Sequence, residues 1–372
     1  VNGRPRQANS GKRIALSRTT HRPSVSVAAF HRPPEEGGAR RRRVVVTHWI
    51  HPEVVDYLRR FCDPVVPVET EVLGRRQCLE LAADADALIM CMADRVDDDF
   101  LAQCPRLRVI STVVKGYDNF DAEACARRGV WLTVLPDLLT APTAELAVTL
   151  AVALGRRIRE GDALMRSGRY DGWRPVLYGT GLYRSRVGVV GMGRLGRAVA
   201  RRLSGFEPSE VLYYDKQPLG ASEERRLGVR AAGLEELMGR CQVVLSLLPL
   251  AMDTRHLIGS DAIAAARPGQ LLVNVGRGSV VDEDAVAAAL DCGPLGGYAA
   301  DVFGCEDLTA PGHLREVPRR LLTHPRTLLT PHLGSAVDVI RRDMEIAAAH
   351  QVEQALSGRV PDHEVTAGLL RE

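Results

Sequence analysis

The sequence predicts an α/β protein of two parallel-sheet domains, Rossmann-like or flavodoxin-like, with the active site in the cleft between them. Apolar, strand-like runs alternate with helical segments along most of the chain, the pattern that crossover connections impose on parallel strands. A glycine-rich turn, G-M-G-R-L-G at 191–196, follows one such run and opens into a helical pattern. The length of 372 residues suits two cores, at roughly 150 residues per domain.

The folded chain is expected to begin at Val44. Runs at 44–49, 64–68, 87–92, 107–113 and 130–135 supply the first strands. Pro52 opens the first helix, where its missing N–H costs nothing. The Ala/Leu-rich pattern from Pro142 to about Ser167 predicts one long helix, and a turn-rich aromatic stretch follows at 168–183. A second α/β unit starts at 186, with strands near 186–191, 210–215, 241–248, 270–276, 296–303 and 327–331. A helix from about Ser335 to Ser357 closes the chain. These expectations divide it into a substrate domain, 44–138 plus 334–372, and a cofactor domain, 139–333.

Hydrophobic content of 45% and charged content of 26% are those of an ordinary globular protein. No apolar run reaches the ~18 residues of a membrane span. Eight cysteines without a C-x-x-C pair read as reduced thiols of a cytoplasmic protein, with neither a disulfide framework nor a metal site. The net charge of +3 is uneven: residues 1–43 hold 11 basic and 2 acidic side chains, the remainder 38 and 44. That basic tail lacks apolar periodicity and is expected to be disordered. A passive extension is favoured over a nucleic-acid tether or a targeting peptide.

The glycine turn has the context of a dinucleotide site. Gly191 permits the tight turn, Gly193 lets a pyrophosphate approach the backbone, and Gly196 lets helix and strand pack closely. Asp215, 19 residues beyond Gly196, is placed to accept from a ribose 2′-hydroxyl, which favours NAD; Lys216 beside it allows some use of NADP. Arg277, Glu306 and His332 each follow an apolar run, and ligands of open parallel sheets sit beyond the carboxyl ends of strands. A guanidinium fork suits oxyanions, an imidazole suits a general base, and a carboxylate beside it orients the ring. Lys115 also follows a strand, and only three of the chain's 49 basic residues are lysines.

These residues resemble the signature of the NAD-dependent D-2-hydroxyacid dehydrogenase family, and the resemblance covers 44–372. Within that family the chain is most similar to the branch that oxidises phosphite. The stretches are D-R-V-D at 94–97, K-G-Y-D-N-F-D at 115–121, R-G-V-W-L-T-V-L-P-D-L-L-T-A-P-T-A-E-L-A at 128–147, Y-G-T-G-L at 178–182, R-G-S-V-V-D-E at 277–283 and P-H-L-G-S-A-V at 331–337. The resemblance implies Arg277, Glu306 and His332 as catalytic residues. It implies phosphite binding by Lys115 and Gly116, and by Met92, Trp173, Tyr178 and Arg341. It adds Thr143, Arg194, Leu195, Leu248, Pro249, Leu250, Gly276, Asp301 and Ser335 to the cofactor site, and a homodimer formed through 142–167 and the loop after it. The expected reaction is NAD-dependent oxidation of phosphite to phosphate. The alternatives are a dehydrogenase of an organic D-2-hydroxy acid and an NAD-binding regulator.

Overall fold

A computed structural model describes residues 30–31, 40–68, 73–135, 137–309 and 316–366. The first domain contains β1 (Phe30–His31), β2 (Arg42–Val46), α1 (Pro52–Leu58), β3 (Cys62–Pro67), α2 (Arg75–Ala82), β4 (Ala87–Met90), α3 (Asp98–Ala102), β5 (Val109–Thr112), α4 (Ala122–Arg127) and β6 (Trp131–Thr133). Its sheet order is β1-β3-β2-β4-β5-β6. All pairs are parallel except β1 with β3. Without β1, this is the doubly wound order of flavodoxin-like sheets, and both faces are covered. Val44, Val46, Ile89 and Val109 pack to one side, Val45, Leu88, Met90 and Ile110 to the other, the alternation that a pleated strand imposes.

The expected single helix over 142–167 is two. α5 (Thr140–Gly155) stops, Arg157 takes a left-handed φ of 54°, and α6 (Ile158–Arg166) leaves in a new direction. The cause lies in the Y-G-T-G-L stretch. Thr180 N donates to Gly155 O at 2.9 Å. A Cβ on Gly155 would stand 2.2 Å from Thr180 O, and one on Gly179 2.0 Å from Gly155 O. Only a glycine pair lets the loop cross the helix end so closely.

The second domain runs β7 (Arg186–Val190), α7 (Arg194–Leu203), β8 (Glu210–Tyr214), α8 (Ala221–Leu227), β9 (Arg230–Ala231), α9 (Leu234–Arg240), β10 (Val243–Ser246), α10 (Ser260–Ala264), β11 (Gln270–Asn274), α11 (Glu283–Cys292), β12 (Leu295–Ala300), α12 (Arg319–Thr323) and β13 (Thr327–Leu329). Its order, β13-β12-β11-β10-β7-β8-β9, is that of a Rossmann sheet with an added edge strand. The order reverses between β7 and β10, so the loops after those strands flank the crevice where a dinucleotide binds.

The last helix, α13 (Asp338–Leu356), returns to the first domain. Met344, Ala348, Val352 and Ala355 recur at helical spacing and are buried against that domain's sheet. Gln351 fixes the register: its Oε1 accepts from Ser111 Oγ at 2.9 Å and Thr133 Oγ1 at 2.7 Å, while its Nε2 donates to Val134 O at 3.2 Å. A buried amide satisfied this completely specifies one docking position.

The arginine run at 40–43 is not free, as the expected tail would have it. Arg42 and Arg43 are already in β2, where Arg43 N donates to Asp86 Oδ2 at 2.8 Å. Arg40 donates to Asp84 O, Arg41 to Arg59 O, and Arg42 pairs with Asp86. The positive run neutralises Asp84 and Asp86 at the end of the first sheet. The rest of 1–39, apart from Phe30–His31, lies outside the described residues.

Candidate active site

The carboxyl ends of the two sheets face each other across a cleft of about 1930 Å³. Arg277 follows β11 and points its guanidinium across the cleft: Nε donates to Asp118 Oδ2 at 2.8 Å and Nη1 to Gly276 O at 3.1 Å. Gly116 lies directly against this guanidinium, since a Cβ there would be 1.9 Å from Arg277 Nη2. Glu306 sits in a single 3₁₀ turn, Gly304–Glu306, just after β12. Its Oε1 accepts from Phe303 N at 2.9 Å, and its Oε2 lies 2.5 Å from His332 Nδ1. His332 has a left-handed φ of 56° and donates its own N–H to Asp301 O at 2.9 Å. With Nδ1 committed to Glu306, Nε2 is the nitrogen available as a base.

Lys115, Met92 and Arg341 line the same cleft from the first domain and α13. Burial lowers the Lys115 pKa, and Arg194 and Arg277 push it the same way against Asp137. Met92 O is held by Asn119 Nδ2 at 3.1 Å. Arg341 lies 3.9 Å from buried Glu345, one turn along α13. Trp173 and Tyr178 are elsewhere: they are 81% and 76% exposed and do not line the cleft of their own chain. The crossing of the loop over the end of α5 carries both rings outward.

The cofactor half fits a dinucleotide. Gly191 has a φ of 102°, and a Cβ on Gly196 would stand 2.2 Å from Gly191 O, so α7 packs directly on the turn. A Cβ on Gly193 would meet nothing within 4 Å, which leaves its backbone facing open cleft. Arg194 and Leu195 open α7, whose N-terminal amides attract phosphate. Asp215 follows β8 and accepts from Met192 N at 2.6 Å and Gln217 N at 3.0 Å, which ties the carboxylate to the glycine turn. Lys216 stands beside it in an ion pair with Asp253 in which both side chains are more than half exposed, so solvent screens the pair and the ammonium stays next to Asp215. Leu248, Pro249 and Leu250 follow β10 and, with Thr143 and Ser335, line the cleft. Gly276 lets β11's end approach them, since its Cβ would be 2.4 Å from Leu248 O. Asp301 is buried, which pushes its pKa up, and accepts from Thr330 Oγ1, Leu333 N and Gly334 N at 2.6–2.8 Å.

Asp118 and Asn119 carry no signal in the sequence beyond the motif that contains them. In the fold they reach both walls: Asp118 holds Arg277, and Asn119 Oδ1 accepts from Leu308 N at 3.2 Å, just beyond Glu306. Asp253 has nothing local to mark it. Among the described residues no group of acidic, His and Cys side chains forms a metal site, and no helix is long and apolar enough to cross a membrane.

A Rossmann sheet, a dinucleotide turn at its switch point and a His–Glu pair beside an arginine define an NAD-dependent oxidoreductase. Comparison with known proteins agrees. Residues 148–334 match the model of the D-isomer specific 2-hydroxyacid dehydrogenase NAD-binding domain. A glyoxylate reductase of Thermococcus gammatolerans is 35% identical over 323 residues, covering 86% of this chain and 94% of the relative. Glyoxylate/hydroxypyruvate reductase B of Pectobacterium carotovorum is 36% identical over 282 residues, 74% of this chain and 84% of the relative. The crystal structure of the TT0316 protein from Thermus thermophilus superposes with a TM-score of 0.78 at 34% identity, covering 87% of this chain and 99% of that one. The chain belongs to the D-isomer specific 2-hydroxyacid dehydrogenase family.

Proposed function

We propose that this enzyme oxidises phosphite to phosphate. The observation that carries the reading is that three cations line the cleft that holds His332. Lys115, Arg277 and Arg341 line the cleft, and burial, with Arg194 and Arg277, lowers the Lys115 pKa against Asp137. Such a set of cations is stabilised by a ligand of two negative charges on a small body. Phosphite is a tetrahedral dianion over most of the working pH range. A 2-oxo or 2-hydroxy acid of the glyoxylate kind brings one carboxylate, which a single arginine fork satisfies.

In this reading Arg277 and Lys115 hold the phosphite oxygens, with the backbone at Gly116 beside them. His332 Nε2 takes a proton from the attacking water as its oxygen bonds to phosphorus, and Glu306 stabilises the imidazolium that forms. NAD, when bound, supplies the acceptor for the hydride that leaves phosphorus with both electrons of the P–H bond. Closure of the two domains keeps bulk water from that path. The direct test is ³¹P NMR with NAD: phosphite should convert to phosphate with one NADH formed per phosphate, and no conversion would end the proposal.

The second reading is reduction of glyoxylate or hydroxypyruvate, favoured by the names of the relatives at 35–36% identity. A homodimer belongs to either reading. Helix α6 buries none of its residues, and Ile158, Met165, Tyr170, Trp173 and Tyr178 are each at least half exposed beside it. An apolar patch of that extent suits a second copy of the chain. Trp173 and Tyr178 would then act on that face. Sedimentation equilibrium should return twice the chain mass.

A further inference from the structure

We infer that Glu283 is a positioning residue for the His332–Glu306 pair, acting through the turn that presents Glu306. Two carboxyl groups grip two successive amides of that turn. Phe303 N donates to Glu306 Oε1 at 2.9 Å, and Gly304 N donates to Glu283 Oε1 at 2.9 Å. Glu283 is the first residue of α11 and is 6% exposed. Its backbone is set by that helix, so its carboxyl group is a fixed post for the turn. The Arg277 side is coupled to the same place, because a Cβ on Gly278 would stand 1.9 Å from Phe303 C. The segments carrying Arg277 and Glu306 therefore pack backbone to backbone, with Glu283 holding the outer one.

The surroundings decide which substitution should replace Glu283. Its Oε2 is buried and has no hydrogen-bond partner among the described residues. Its titratable neighbours are Glu306 and Cys305 from the turn, Tyr298 from β12, and Asp282 and Asp284 on its own element. None is a cation. Burial, then Glu306, Asp284 and Asp282, raise the Glu283 pKa against the Gly304 hydrogen bond. The turn uses one oxygen of the carboxyl group, the acceptor for Gly304 N, and glutamine offers the same oxygen at the same reach. Aspartate keeps the acid but withdraws it by about one bond length, roughly 1.5 Å.

The inference rests on His332 acting as the base with Glu306, but not on which oxyanion is oxidised. Its test compares Glu283→Gln, Glu283→Asp and Glu283→Leu in the full chain, with kcat and KM measured for the acid turned over and for NAD. The Gln variant should keep kcat within about threefold. Asp and Leu should lose about 10- to 100-fold in kcat, because misplacement by about 1 Å costs on the order of 10², with KM for NAD little changed. The second readout needs no substrate. The hydrogen bond between His332 Nδ1 and Glu306 protects and deshields the Nδ1–H proton in ¹H NMR, and this signal should persist in wild type and Gln and vanish in Asp and Leu. Gln damaged as badly as Asp, losses confined to KM for NAD, or a proton signal insensitive to all three substitutions would overturn the role. If Leu fails to fold, the Gln and Asp pair decides alone. A wild type that turns over no phosphite but shows this proton pattern would sink the proposed substrate and leave Glu283's role standing.

Discussion

Placing a methyl group on Gly116 is the most selective perturbation the cleft offers. In Gly116→Ala the new Cβ would lie 1.9 Å from Arg277 Nη2 and 2.9 Å from Cζ. To reach even 3.0 Å, the guanidinium must retreat by about 1.1 Å, the difference between 3.0 and the 1.9 Å of the structure. It cannot do so and keep both its anchors, Asp118 Oδ2 at 2.8 Å and Gly276 O at 3.1 Å. The obstacle is the end of a flexible side chain, and Gly116 has no positive φ, so the fold itself is not strained. Gly→Ala at a compatible position adds roughly 0.4–1 kcal/mol through the unfolded state. Gly116→Ala should therefore melt no lower than wild type, while kcat/KM for phosphite falls about 100-fold, or ~2.7 kcal/mol of transition-state stabilisation. KM for NAD should hardly change. Steady-state kinetics and a thermal melt suffice. A variant within threefold of wild-type kcat/KM, or one that simply unfolds more easily, would refute the placement of Arg277 against this backbone.

Lys115→Met should raise KM for phosphite at least about tenfold, ~1.4 kcal/mol, and leave KM for NAD within twofold. Because burial lowers its pKa from 10.5, the ammonium is lost as pH rises through that lowered value. KM for phosphite should thus climb on the alkaline side before an ordinary lysine would titrate, and this limb should be missing in Lys115→Met. Asp215→Ala should move the NAD/NADP ratio of kcat/KM toward NADP by about tenfold; an unchanged ratio would mean that Asp215 does not discriminate. A chain beginning at Val44 should lose about 1–3 kcal/mol in urea unfolding relative to one beginning at Arg40. It strips Asp86, 2% exposed, of Arg43 N and Arg42 and leaves it Arg106. Equal midpoints would show that the arginine run is not structural.

Strand positions were legible in the sequence because parallel strands buried on both faces are continuous apolar runs, such as VVV at 44–46 and VVL at 243–245. The glycine turn was legible because close backbone approach leaves no alternative residue at Gly196. Arg277, Glu306 and His332 stood out because each follows an apolar strand run. What was not legible depends on distant partners. Asp118 meets Arg277 from 159 residues away. Where the helix breaks at Arg157, Gly155 O is taken by Thr180 N, not by any residue of the helix, and Lys216 meets Asp253 from another strand's loop. The exposure of Trp173 and Tyr178 likewise follows from where their loop crosses α5. Local pattern registers none of these, since tertiary contacts override it.

The central claim is that the cations lining the His332 cleft serve a dianion of phosphorus. The decisive measurement is kcat/KM for phosphite with NAD beside kcat/KM for glyoxylate and hydroxypyruvate with NADH, on one preparation of wild-type enzyme. Phosphite should be favoured by about 100-fold or more, the discrimination expected when a site built for two charges meets a substrate that brings one. Efficient reduction of glyoxylate with no detectable phosphite oxidation would contradict it.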